Sequence, residues 1–170
     1  MTDHRPERLT RQAFVDRYGG VFEHSPWVAE AVWDEGLGEN ARTAEDLHEA
    51  MCRVLRAAGP ERQLALIRAH PDLAGKLALA DKLTAASSGG QASAGLDRLT
   101  PEELAWFHAL NDAYKARFGF PFVIAIKDRD KADILASFGR RLGNDIEVER
   151  ATALEEIECI ALVRLKELLP

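Results

Sequence analysis

At 170 residues the chain is long enough to bury a proper core, and its length predicts one domain, 1–170. Its 22 basic and 28 acidic side chains give a formal net charge of −6, with no Lys/Arg-rich stripe to neutralise phosphates, which argues against a nucleic-acid partner. The composition, 46% hydrophobic and 29% charged, is that of a globular protein, and no run is apolar enough to span a bilayer, so no membrane partner is expected.

The segment Met1–Arg11 is polar and lacks the apolar stretch of a signal peptide. Thr10 then predicts the cap of a first helix carrying Phe14 and Tyr18 and ended by Gly19-Gly20. Ser25 and Pro26 read as N-cap and first-turn residues of a helix with Trp27, Val28, Ala31 and Val32, stopped at Gly36. Thr43 and Asp46 open a third helix through Leu47, Met51, Val54 and Leu55, with Gly59-Pro60 as its stop. Pro60 starts a fourth, which must end near His70 because Pro71 disfavours helical backbone for the residue before it.

The run Ala85–Gly90 is of low complexity and carries little preference for regular structure. Thr100-Pro101-Glu102-Glu103 is a capping box, followed at helical spacing by Leu104, Phe107, Leu110, Asn111, Tyr114 and Phe118. Asp130 opens a helix through Ile134, Leu135 and Phe138 that closes at Gly143-Asn144, and the last helix runs from about Ile146 to Leu168. Cys52 and Cys159 fall on apolar-periodic stretches without CxxC spacing; they read as buried thiols in a reducing compartment, the cytoplasm.

One segment differs. Phe118–Ile126 is β-branched and aromatic, so its local preference is a strand, yet no second strand candidate exists to pair with it. Its backbone groups must find partners in the core or bind a polar ligand. The expected fold is all-α: a compact single-domain multi-helix bundle with one extended segment, about 119–126, through the core.

His70, Ser87–Leu96, Phe118–Ile126 and the last helix are the segments where chemistry could converge. His70 carries the imidazole whose ordinary pKa suits proton transfer near neutrality, although a histidine at a helix end also serves as a cap. Ser87 and Gln91 lie one helical turn apart and could hold a ligand together, or simply cap and solvate a short helix. Arg164, among Ile160, Ala161, Leu162, Val163 and Leu165, either snorkels outward or holds a carboxylate. There is no HExxH, Cys/His cluster, P-loop or GxSxG elbow.

Several stretches taken together resemble the family of 2-oxo-4-hydroxy-4-carboxy-5-ureidoimidazoline (OHCU) decarboxylases of urate degradation. They are His70-Pro71-Asp72-Leu73-Ala74-Gly75, Gln91–Leu96, Asn111-x-x-Tyr114-Lys115-x-Arg117–Val123, Lys131–Ile134 and Arg164-Leu165, and the resemblance covers nearly the whole chain. It implies an all-α fold, OHCU as the small-molecule partner, no metal or organic cofactor and a homodimer. By position it makes His70 the catalytic histidine and Pro71 the residue beside the bound ring. Ser87 and Gln91 become polar groups holding the substrate, and Phe122, Val123, Ile124, Ala125 and Ile126 the segment whose backbone bonds the ureido-imidazoline. Arg164 becomes the arginine near the substrate carboxylate.

The family's Glu-Gln pair reads Gly90-Gln91 here, so the carboxylate expected beside the histidine is missing from the substrate-binding set at Gly90. That departure keeps a second reading open, a catalytically impaired ligand-binding member of the same fold. A helical interaction module without a small-molecule site is the third.

Overall fold

Capping residues set most helix boundaries in the computed structural model, which describes residues 5–73 and 99–169. Among these residues there are seven α-helices and no strand: α1 (Arg11–Tyr18), α2 (Trp27–Asp34), α3 (Ala44–Ala57), α4 (Pro60–Ala69), α5 (Pro101–Phe118), α6 (Lys131–Leu142) and α7 (Ile146–Leu168). Thr10 caps α1 by accepting from the Ala13 N–H. Reciprocal capping boxes open α3 (Thr43 with Asp46), α5 (Thr100 with Glu103) and α6 (Asp130 with Asp133). Each satisfies amide donors that the first helical turn leaves orphaned.

The start of α2 corrects the sequence reading. Pro26 holds the N-cap position with helical backbone, and Ser25 caps nothing: its Oγ donates to the Glu23 carbonyl at 2.8 Å. A short hydroxyl bonds its own local backbone as readily as a helix terminus, which is why the Ser-Pro signal misleads here. Gly36 does follow the end of α2, at φ +68° just past the cap at Glu35.

The chain divides into two compact units, Met1–Ala69 with Ile157–Pro170, and His70–Glu156. In the first, α2 packs against α1 and α3. Phe14 sits 5.0 Å from the Tyr18 ring and 5.4 Å from Trp33, and Leu47, Met51 and Leu55 are fully buried. The turn from α3 to α4 is fixed by Gln63, whose Nε2 donates to the carbonyls of Leu55 (3.1 Å) and Ala58 (3.0 Å). The Ala58 carbonyl is one that a helix end leaves without a helical partner, and the Leu55 carbonyl also accepts from the Ala58 N–H at 3.3 Å.

The two cysteines behave differently from expectation. Cys52 on α3 is half-buried, its Sγ 3.3 Å from His48 Nε2, and burial pushes the thiol pKa up to about 12. Cys159 is exposed: the buried stripe of α7 here is Ile157, Ala161 and Leu165, and position 159 falls on the opposite side of the helix. Alkylation of the native protein at pH 8 should therefore modify Cys159 and spare Cys52 until unfolding, because the thiolate is the reacting form. Equal modification of both cysteines in the native protein, read by peptide mass mapping, would contradict this.

In the second unit α5 packs on α6. The buried stripe of α5 is Phe107, Asn111, Tyr114 and Phe118. The helix ends at Gly119, whose φ of +76° is left-handed backbone that a side chain would strain. That turn launches residues 120–126, which are neither helix nor strand and are buried from Phe120 to Ile124. The expected all-α architecture with one irregular buried segment is what forms; the local preference for a strand is overridden where the described residues offer no partner strand.

Candidate active site

His70 follows directly on the last residue of α4, where Pro71 forbids continuation. Its side chain is 3% exposed, while Pro71 is exposed and Leu73 buried. Asp72, two residues on, forms a 3.2 Å ion pair with Lys115 of α5. The histidine break is thereby tied to the helix whose next buried residue inward, Tyr114, packs edge-on against Phe122 at 5.2 Å.

The 120–126 segment is held by side chains in place of a second strand. Arg141 Nη1 donates to the Val123 carbonyl at 2.8 Å, and its guanidinium lies 4.3 Å from the centre of the Phe122 ring. Glu156 accepts from the Ala125 N–H at 2.9 Å, and Arg129 donates to the Ala125 carbonyl at 2.9 Å while paired bidentately with Glu156. Phe122 stacks on Phe138 of α6 with ring centres 3.6 Å apart.

These partners fall on alternate residues, as they must when successive N–H and C=O groups of a stretched chain point to opposite sides. Residues 123 and 125 are engaged by Arg141, Glu156 and Arg129. The N–H groups of Ile124 and Ile126 make no hydrogen bond among the described residues. The Val123 carbonyl and both backbone groups of Ala125 are thus held by the protein, while the N–H groups of Val123, Ile124 and Ile126 remain donors without a partner among the described residues.

Behind the segment lies a buried ionic network. Arg141 Nε bonds Glu149 Oε2 at 2.9 Å, with the two side chains 4% and 0% exposed. Tyr114 donates its hydroxyl hydrogen to the same oxygen, and Asn144 Nδ2 bonds Oε1 at 2.9 Å. Burial, then the bond to Glu149, raises the Tyr114 pKa, so the phenol remains a donor.

Of the residues singled out from sequence, His70, Pro71 and Phe122–Ile126 belong to the second unit and Arg164 to the first. Arg164 holds the Val21 carbonyl at 2.9 Å and Glu23 at 2.5 Å, so the carboxylate it meets here is an internal one. Ser87, Gly90 and Gln91 lie outside the described residues. Arg141, Glu149, Arg129 and Glu156 were not identified from sequence, and Asn111, though on the quoted motif, was given no role there. Arg141 and Asn111 could have been flagged as polar residues at buried helical positions; Glu149, among Glu147 and Arg150 near the start of α7, carries no such signal.

Fold and site define an all-α protein that offers a buried imidazole and a donor-bearing backbone edge, with neither a phosphate-binding loop nor a nucleophile elbow in its sequence. The sequence profile of the OHCU decarboxylase family matches residues 7–166. The chain is 40% identical over 158 residues to a 2-oxo-4-hydroxy-4-carboxy-5-ureidoimidazoline decarboxylase of Halalkalicoccus jeotgali, covering 93% of this chain and 86% of that one. It is 41% identical over 167 residues to the protein of the same name in Haloferax volcanii, covering 98% and 95%. Among solved structures it resembles a crystal structure of (S)-allantoin synthase, with a TM-score of 0.78 and 31% identity over 97% of this chain and 52% of the other. The chain belongs to the OHCU decarboxylase family.

Proposed function

We propose that this protein decarboxylates OHCU to (S)-allantoin in urate degradation, and that His70 handles the proton transfer. The reading rests on family membership together with one observation: an imidazole almost excluded from water at the position the family resemblance assigns to catalysis.

The chemistry needs little beyond positioning. As the bond to carbon dioxide breaks, its electron pair forms a double bond to the neighbouring ring carbon, and the C=N π pair moves onto nitrogen, which takes up a proton. The substrate therefore carries its own electron sink, and no cofactor is required. The enol that remains loses its hydroxyl proton while the ureido-bearing carbon gains one, and the face of protonation sets the hand of allantoin. The protein must turn the carboxylate out of the ring plane, exclude water and deliver that proton to one face.

In this reading His70 supplies the proton, Pro71 lies beside the ring, and the N–H groups of Ile124 and Ile126 bond the ureido-imidazoline. Ser87, Gln91 and the backbone at Gly90 take the substrate-holding roles that the resemblance assigns them. The whole chain, 1–170, acts as one OHCU decarboxylase-like domain. A cytoplasmic homodimer completes the proposal: Trp106, Ile146 and Val148 are exposed apolar side chains that a second copy would cover. A monomer mass in sedimentation would remove that part, and a secreted pool in cell fractionation the cytoplasmic part.

The test is to generate OHCU in situ from urate and follow its disappearance. Decay should accelerate in proportion to protein concentration; decay at the protein-free rate with folded protein would refute the assignment.

Arg164 is tested separately. If it meets the substrate carboxylate it must share or exchange Glu23. Arg164→Ala should then weaken substrate binding by about 1.5–3 kcal/mol, the size of a charge-assisted contact, and Arg164→Lys by less. Should both variants bind allantoin and process OHCU like wild type, Arg164 serves only the Val21–Glu23 turn.

A further inference from the structure

The side chain of Asn111 stands apart from every other buried polar group of α5. It is 1% exposed, and neither its amide nitrogen nor its amide oxygen has a hydrogen-bond partner among the described residues. A buried amide in that state is costly, since it has given up its bonds to water and gained none in return. Local preference offers no compensation: asparagine is a poor residue for a helix interior, and an aliphatic side chain of the same size would both favour the helix and suit its surroundings.

Its neighbours on the buried stripe of the helix are aromatic. Asn111 lies on the buried stripe of α5 between Phe107 and Tyr114. Phe107 packs edge-on against Phe138, Phe138 stacks on Phe122, and Phe122 meets Tyr114 edge-on. The ring contacts thus close a circuit that begins and ends on α5 on either side of Asn111. Phe122 opens the stretch that carries the unpaired N–H groups of Ile124 and Ile126.

An amide offers one acceptor and two donors on a planar head. Its natural complement is another planar group with alternating N–H and C=O, such as a ureido arm or a ring amide. We propose that Asn111 is a substrate-binding residue whose amide pairs with the N–H/C=O edge of a ureido or cyclic-amide group. The identity of the substrate rests on the decarboxylase reading; the pairing chemistry rests on the orphaned amide. The polar side chain is then retained at a cost to stability because bound ligand, and not the protein, satisfies it.

This predicts opposite signs for stability and binding. Asn111→Leu, nearly the same size, should leave the thermal midpoint of the ligand-free protein unchanged or raised. Calorimetric affinity for (S)-allantoin should fall by roughly tenfold to a hundredfold, as expected when a ligand's polar edge loses its partner. Asn111→Ala serves as the second variant and should also weaken allantoin binding. A lowered midpoint with unchanged affinity, a leucine variant that does not fold beside an alanine variant that binds like wild type, or a wild type that binds no allantoin would each overturn the proposal. Because binding needs no turnover, a wild type that binds allantoin yet leaves OHCU decay unaltered defeats the decarboxylase reading alone.

Discussion

Replacing His70 by alanine should remove the protein's acceleration of OHCU decay by about 10²–10⁴-fold, the usual contribution of a positioned acid–base group. The allantoin that still forms should lose its single hand, because protonation then comes from solvent on either face. His70 is 3% exposed, so alanine also leaves a void where the imidazole was. His70→Gln fills most of that space without a group that titrates near neutrality. If the imidazole acts chemically, both variants are inactive while the glutamine variant keeps a near-native thermal midpoint. Substantial activity in folded His70→Gln would reduce His70 to a space-filling residue.

The second large effect falls on stability. Glu149→Ala strands the Arg141 guanidinium in the core and removes the acceptor of Tyr114 and Asn144. Breaking a buried pair from one side costs about 3–5 kcal/mol, or roughly 6–20 °C in the thermal midpoint for a chain of this size. Replacing both partners with apolar residues of similar volume, Arg141→Met with Glu149→Leu, should cost less than Glu149→Ala alone, because no charge is left unpaired. Activity should not recover with stability, since Arg141 also fixes the Val123 carbonyl and the face of Phe122. A double variant as unstable as the single one would mean that the network's geometry, more than its charge balance, holds the fold.

Helices were the legible part of this sequence because their signals are local. Thr43 with Asp46, Thr100 with Glu103 and Asp130 with Asp133 announce their own boundaries within four residues, and Pro71 announces the end of α4. Where local preference was ambiguous the reading failed in the expected way. Ser25 bonded its own backbone, and Cys159 faced outward on a helix apolar enough on several sides to hide its stripe.

The candidate site was legible only in part, for a physical reason. His70 and the 122–126 segment advertise themselves through a helix break and an unpaired β-like run. What holds the segment does not, because Arg141 and Glu156 reach it from helices, 18 and 31 residues along the chain from the groups they bond, across contacts that no periodicity encodes. The sequence could say that the backbone of residues 122–126 needed partners, either the core or a ligand. The structure divides the answer by group: side chains hold the Val123 carbonyl and both backbone groups of Ala125, and the N–H groups of Val123, Ile124 and Ile126 are left over among the described residues.

The most direct test of the decarboxylase assignment is the handedness of its product. OHCU generated in situ from urate should yield allantoin of one enantiomer, the S form, in the presence of the protein, and racemic allantoin in its absence. Circular dichroism or chiral chromatography of the product reads this without depending on rate. Racemic allantoin in the presence of folded wild-type protein would contradict the account.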